Sequence, residues 1–287
     1  MKKTEVAIIR ASCLIFFMLV SYLSSGKEVS IFEAVKKEQV NLNLLSRGGY
    51  SEKCVSVRLK NRGSSRITVV MEPGTLLDNL DEAQQDIIVV RTLKVDLAPF
   101  QMIDTAAYGN CCQSRNAIPK KGQRFALARM ADSTLVALCK FIERRRIPDY
   151  IAQHAIWTIS NGHNLASIGV PTDTALAGLF AICTNGNTIP RPWYHIGYRK
   201  IPGIVFSNEV CRVVLNFDYM KKSDKNLTIA VYDDCGRKVK TLLSNSYAVP
   251  GNKNFHFDFE IVNWPSGKYT LKVNEWEQEP FSKTFEI

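Results

Sequence analysis

Leu227-Thr228-Ile229-Ala230-Val231-Tyr232, then Asp233-Asp234-Cys235-Gly236, then Lys238-Val239-Lys240-Thr241-Leu242-Leu243 is the stretch that decides the fold. A β-favouring run, a polar turn closed by glycine and a second run rich in basic residues predict two antiparallel strands. Working outward, Val210 to Phe217, Asn254 to Ile261 and Lys268 to Val273 have the same strand texture, and Pro265-Ser266-Gly267 supplies another turn. Residues 203–287 are therefore expected as a compact antiparallel sandwich.

Further upstream the pattern is again that of strands. Cys54-Val55-Ser56-Val57-Arg58-Leu59-Lys60 alternates apolar and polar residues, Asn61 to Ser65 breaks the run, and Ile67-Thr68-Val69-Val70 resumes it. These read as two strands around a turn, paired antiparallel. Ile87 to Val90, Leu93 to Leu97 and Gln101 to Ala107 add more strands.

From Asp132 the period changes. Leu135, Leu138, Cys139 and Ile142 fall on one helical face, Asp132 or Ser133 can cap the first turn, and Arg144 to Arg146 suit its negative end. A second helix follows Pro148, with Ala152, Ala155, Ile156 and Ile159 inward and a stop at Asn161-Gly162. A third, capped by Thr172 or Asp173, carries Leu176, Leu179, Phe180 and Cys183. The class is mainly β with a helical segment (α+β). A β-sandwich with three helices is expected over 27–186, a connector over 187–202, and the second sandwich after it.

The first residues read as an export leader. Lys2, Lys3 and Arg10 precede an apolar run from Ala11 to Leu23, and Ser24-Ser25-Gly26 offers a small-residue cleavage site after Gly26. The run is shorter than the ~20 residues a spanning helix needs, and no later segment is apolar enough to span. A secreted, periplasmic or cell-surface bacterial protein is expected, without a membrane span once the leader is gone.

The formal net charge is +10, and removing Lys2, Lys3, Arg10 and Glu5 leaves +8. Such a charge favours acidic surfaces, but the basic clusters Lys120-Lys121 and Arg144-Arg145-Arg146 lack the interleaved aromatics of single-strand binding, so nucleic acid is not expected. Of 8 cysteines, Cys13 leaves with the leader. The remaining seven permit disulfides in an oxidising compartment, and an odd count leaves one over.

Two family resemblances follow from these residues. Val231-Tyr232-Asp233-Asp234-Cys235-Gly236-Arg237-Lys238-Val239, with Pro265-Ser266-Gly267-Lys268-Tyr269-Thr270-Leu271-Lys272-Val273, resembles the C-terminal Ig-like sorting domain of type IX secretion cargo and the Ig-like domain of flagellar hook-capping proteins. The resemblance covers the last third of the chain and implies an Ig-like β-sandwich. Ala152-Gln153-His154-Ala155-Ile156-Trp157 resembles the glutamine helix of bacterial thioester adhesin domains. That likeness implies an internal bond between Gln153 and an upstream cysteine, with Cys112 as first candidate and Cys111 as second. A thioester acyl carbon is electrophilic enough to capture an amine or hydroxyl on a surface partner. The alternative for Gln153 is a helix residue hydrogen-bonded to a neighbouring loop.

Turnover motifs are absent. The 4 histidines are isolated in sequence, and no zinc-protease, hydrolase-elbow or phosphate-loop pattern occurs. No catalytic residue, metal site or cofactor is expected, although Cys112 with His154 or His163 and Asp149 has the residue types for cysteine-dependent acyl transfer. Trp193, Tyr194 and Tyr198 form an aromatic cluster that reads either as a contact patch or as packing. The sequence favours a non-enzymatic binding or adhesion protein whose partner is a protein or glycan at a cell surface.

Overall fold

The computed structural model describes residues 27–169, 176–185, 192–275 and 280–287. The expected leader and the expected caps Thr172 and Asp173 lie outside them. The protein is mostly β with a helical segment, as its alternation predicts, and it divides into two compact units. The first comprises the chain through Cys112 together with Ile118–Asp149, and the second comprises Gln113–Ala117 with Tyr150–Ile287. The helical segment is thus shared between them, and the expected connector contributes a strand to the second unit.

In the first unit, β1 (Lys27–Ser30), β4 (Ile67–Met71) and β7 (Leu93–Leu97) form a three-stranded sheet in the order β1-β4-β7. A seven-stranded sheet has the order β8-β3-β2-β10-β5-β6-β9, built from β2 (Val40–Ser46), β3 (Val55–Asn61), β5 (Thr75–Asn79), β6 (Ile87–Val89), β8 (Met102–Ala107), β9 (Gly109–Cys111) and β10 (Arg124–Met130). The expected pairing of β3 with β4 is corrected: β3 pairs with β2 and β8, and β4 pairs with β1 and β7. The burial explains the difference. Val55, Val57 and Leu59 alternate with the exposed Arg58 and Lys60, whereas every residue of β4 is buried. A strand covered on both faces belongs in the middle of a sheet, not on the arm of a surface hairpin.

Helix α1 (Ile31–Lys36) begins at Ser30, whose Oγ accepts the Glu33 N–H at 3.2 Å. Helix α2 (Ser133–Arg145) is the one the periodicity predicts, with Leu135, Leu138, Cys139 and Ile142 buried. The Asp132 carboxylate accepts the N–H groups of Thr134 and Leu135 at 2.9 and 3.0 Å, and Arg146 closes the helix at φ 52°. Asp132→Ala should cost about 1 kcal/mol of first-unit stability by leaving those donors without their acceptor. Urea unfolding checks it, and an unchanged midpoint would rule the cap out as a stabilising element.

The second unit holds helix α3 (Asp149–Asn161, joined from Tyr150 on), a 3-10 turn at Leu165–Ser167, helix α4 (Ala177–Cys183) and a two-sheet sandwich. One sheet has the order β11-β12-β15, from β11 (Tyr194–Tyr198), β12 (Val210–Lys221) and β15 (Gly251–Glu260). The other has the order β14-β13-β16-β17, from β13 (Leu227–Tyr232), β14 (Lys238–Ser246), β16 (Lys268–Glu275) and β17 (Phe281–Glu286). The opening hairpin is therefore β13–β14, and Tyr232 pairs with Lys238 across its turn. Val213, Leu215 and Phe217 of β12 meet Ile229, Val231, Leu271 and Val273 in one core. Each such side chain contributes roughly 1.5–3 kcal/mol through removal from water.

One end of this core is ionic. Lys221 Nζ lies 3.9 Å from Glu275 Oε2, and neither side chain reaches solvent. The ammonium also donates to the carbonyls of Ser223 and Lys225, while the carboxylate accepts from Tyr219 Oη at 2.6 Å, Ser223 Oγ at 2.6 Å and the N–H groups of Lys222 and Ser223. Both charges are thus hydrogen-bonded as well as paired, which is the condition for tolerating them inside.

Candidate functional site

The residues singled out by sequence fall in both units. Cys111 ends β9, fully buried, and Cys112 follows it at the end of the first unit's opening segment. Gln153 is buried on α3 in the second unit. Burial, with Cys139, Asp86 and Asp78 adding negative potential, pushes the Cys112 thiol far above its usual range. A thiol that stays protonated is a poor nucleophile.

No disulfide joins the seven described cysteines. Two are turned to other partners: Cys54 Sγ faces the Gly109 carbonyl at 3.6 Å, and Cys183 Sγ faces that of Ala155 at 3.8 Å. Asp149, the third member of the acyl-transfer set, lies 3.7 Å from Arg91 within the first unit.

The aromatic cluster also divides. Trp193 donates its indole N–H to the Thr284 carbonyl at 2.9 Å and packs edge-on against Phe217 and Phe285. Tyr194 Oη accepts the Glu286 N–H at 3.3 Å. Both serve the sandwich. Tyr198 turns elsewhere, stacking on His154 at 6.1 Å and meeting Phe206 at 4.6 Å.

Tyr198 and Phe206 belong to a cleft of about 660 Å³ in the second unit, whose other walls carry Ser114, Arg115, Asn161, His163, Asn164 and Asn208. Its floor is built where α3 ends. Asn161 is the last helical residue, Gly162 leaves the helix at φ 68°, and His163 N–H reaches back to the Trp157 carbonyl at 3.3 Å. Glycine takes that left-handed conformation without a Cβ penalty.

Asn161 Oδ1 accepts the Ser114 N–H at 2.6 Å and the Ser114 hydroxyl at 2.8 Å, and His163 Nε2 lies 2.8 Å from the same Oγ. A backbone N–H can only donate, so the Asn161 atom it meets is the oxygen. The serine proton is then committed to that oxygen, and Nε2 must be the protonated nitrogen of His163. A Ser–His nucleophile needs the opposite polarity, with the hydroxyl donating to the ring. In this arrangement Ser114 is a structural bridge.

The neighbouring rings support that assignment. His163 Nδ1 is buried without a hydrogen-bond partner, and burial together with the Arg115 charge lowers this histidine to about 4. His154 is lowered to about 4 as well, by burial and then by His163 and His195. His195 is lowered by burial, and its Nδ1 lies 2.8 Å from the Ala166 carbonyl. These rings are neutral at pH 7. Among the described lining residues Arg115 is the only cation, and there is no carboxylate.

Most of this cleft lacks a sequence signal. Ser114 and His163 are far apart in the chain, and their association depends on the run Gln113–Ala117 joining the second unit. The clue that was present is the polar run Asn161-Gly162-His163-Asn164, legible by itself only as a helix stop. The chain matches no protein-family model, and no curated protein is similar to it in sequence.

Proposed function

We propose that this is an exported binding protein of the cell surface, and that the cleft in its second unit holds a glycan. The observation that carries the reading is the composition of the walls: amide, hydroxyl and guanidinium groups set beside the rings of Tyr198 and Phe206. A sugar ring has an apolar C–H face and a rim of hydroxyls, so it matches ring faces flanked by donors and acceptors. A pocket with a few fixed polar groups beside aromatic walls is a usual small-molecule site. Among the described residues no helix is long and apolar enough to cross a membrane.

A Cys112–Gln153 thioester and cysteine-dependent acyl transfer stand behind this reading, because a thiol held in its protonated form attacks poorly. Binding of the purified chain, residues 27–287, to an immobilised glycan panel tests the proposal. At least one glycan should bind saturably, and Asn208→Ala, at an exposed position of the cleft, should weaken it about tenfold by removing one or two hydrogen bonds. Binding that is absent across the panel, or that ignores Asn208, would overturn the assignment.

A further inference from the structure

We propose that the cleft selects an acidic sugar, with the ligand carboxylate held by Arg115. This inference rests on the glycan reading and deepens it. The second unit treats its arginines unequally. Arg199 lies 3.0 Å from Glu209, Arg237 lies 2.8 Å from Asp233, and Arg212 is engaged by Asp258. Arg115 faces the cleft, and among the described residues no carboxylate pairs with it. A guanidinium is a planar fork of donors that matches a carboxylate in a two-bond geometry.

The base of that arginine is fixed. Ser114, one residue before it, is buried and tied by its N–H and hydroxyl to Asn161 and by its Oγ to the His163 ring. The guanidinium charge is felt within the cleft, since it contributes to the lowering of His163. With no carboxylate among the described lining residues, nothing there repels an anion, and the neutral amides of Asn164 and Asn208 remain for hydroxyl groups. A bound carboxylate would neutralise the potential of Arg115 and return part of the lost basicity to His163.

The test compares oligogalacturonate with an uncharged galactose oligomer of equal length, by calorimetry on residues 27–287. The acidic oligomer should bind at least tenfold more tightly, and added salt should narrow the gap. Arg115→Gln should abolish the preference, so that the variant binds the two oligomers equally. The exposed position of Arg115 makes loss of fold in that variant a minor concern, and circular dichroism checks it. In the NMR titration of His163, the midpoint should move upward when the acidic oligomer is bound. Equal affinity for the two oligomers, or a preference that survives Arg115→Gln, overturns charge selection while the glycan reading stands. If neither these oligomers nor any panel glycan binds, both readings fall.

Discussion

Glu275→Ala should destabilise the second unit by about 3–5 kcal/mol, the range for removing one partner of a buried pair and leaving the other charge uncompensated. In a unit of this size that is a fall in Tm of roughly 10–15 °C. The loss is large because it is not one contact. The ammonium of Lys221 stays sealed from water without its counter-charge, and Tyr219, Ser223 and the N–H of Lys222 lose their acceptor together. Glu275→Gln keeps part of that acceptor set and should fall between wild type and alanine. Calorimetric melting orders the three proteins, and an alanine variant that melts with wild type would show that the pair is not sealed from water.

The same group gives the unit an acid limit. Burial by itself would raise the Glu275 carboxyl, but hydrogen bonds from Ser223, Tyr219 and two backbone N–H groups outweigh it and hold the group down at about 2, against an ordinary 4.5. The folded state therefore binds this proton less readily than the unfolded chain does. The resulting stabilisation is complete above the unfolded value and is lost as pH falls from about 4.5 toward 2. Melting of Glu275→Gln should be flatter than that of wild type across this interval.

Gly109→Ala should damage the first unit by overpacking. A Cβ at this position would stand 2.3 Å from Ile87 Cγ2, 3.2 Å from Cys54 Sγ and 3.3 Å from the Ile88 carbonyl oxygen. The backbone has little room to retreat, because Gly109 N–H is held by the Glu52 carbonyl at 2.8 Å and the residue is paired with Val89. Forced insertion into a packed site costs about 1–3 kcal/mol. Ile87→Ala removes the nearest obstacle and costs about 2–5 kcal/mol alone through the cavity it opens. The double variant should be less destabilised than the two single losses combined. Urea unfolding of the four proteins gives the coupling, and strict additivity would mean that the two side chains do not meet.

These two positions show what the sequence could and could not convey. Alternation on one face is local, so β3, β7, β12, β13 and β16 are legible, and so is the buried stripe of α2. Strand partnership is not local. Ile67 to Met71 follows β3 after a polar turn, yet its burial on both faces places it between β1 and β7. The continuous apolar run, rather than an alternating one, was the sign of this. β11 lies within a proline-rich and aromatic stretch that reads as an ordered connector and excludes regular helix, and its five residues are too few to announce a strand.

The cleft was less legible still. The cysteines and the glutamine attracted attention because of their reactivity, but the polar contacts of the second unit gather around Ser114, Asn161 and His163, which are chemically ordinary residues. Their association is a product of tertiary folding. Tyr198 and His163 are the sequence candidates that line this cleft.

The parallel strand β1 sets an order of events in folding. Lys27 is in register with Ile67 and Ser30 with Val70, so these four residues are held in a sheet by a strand far along the chain. β1 can therefore form only once Ile67–Met71 is in place, and until then one edge of β4 stands open to any other extended segment.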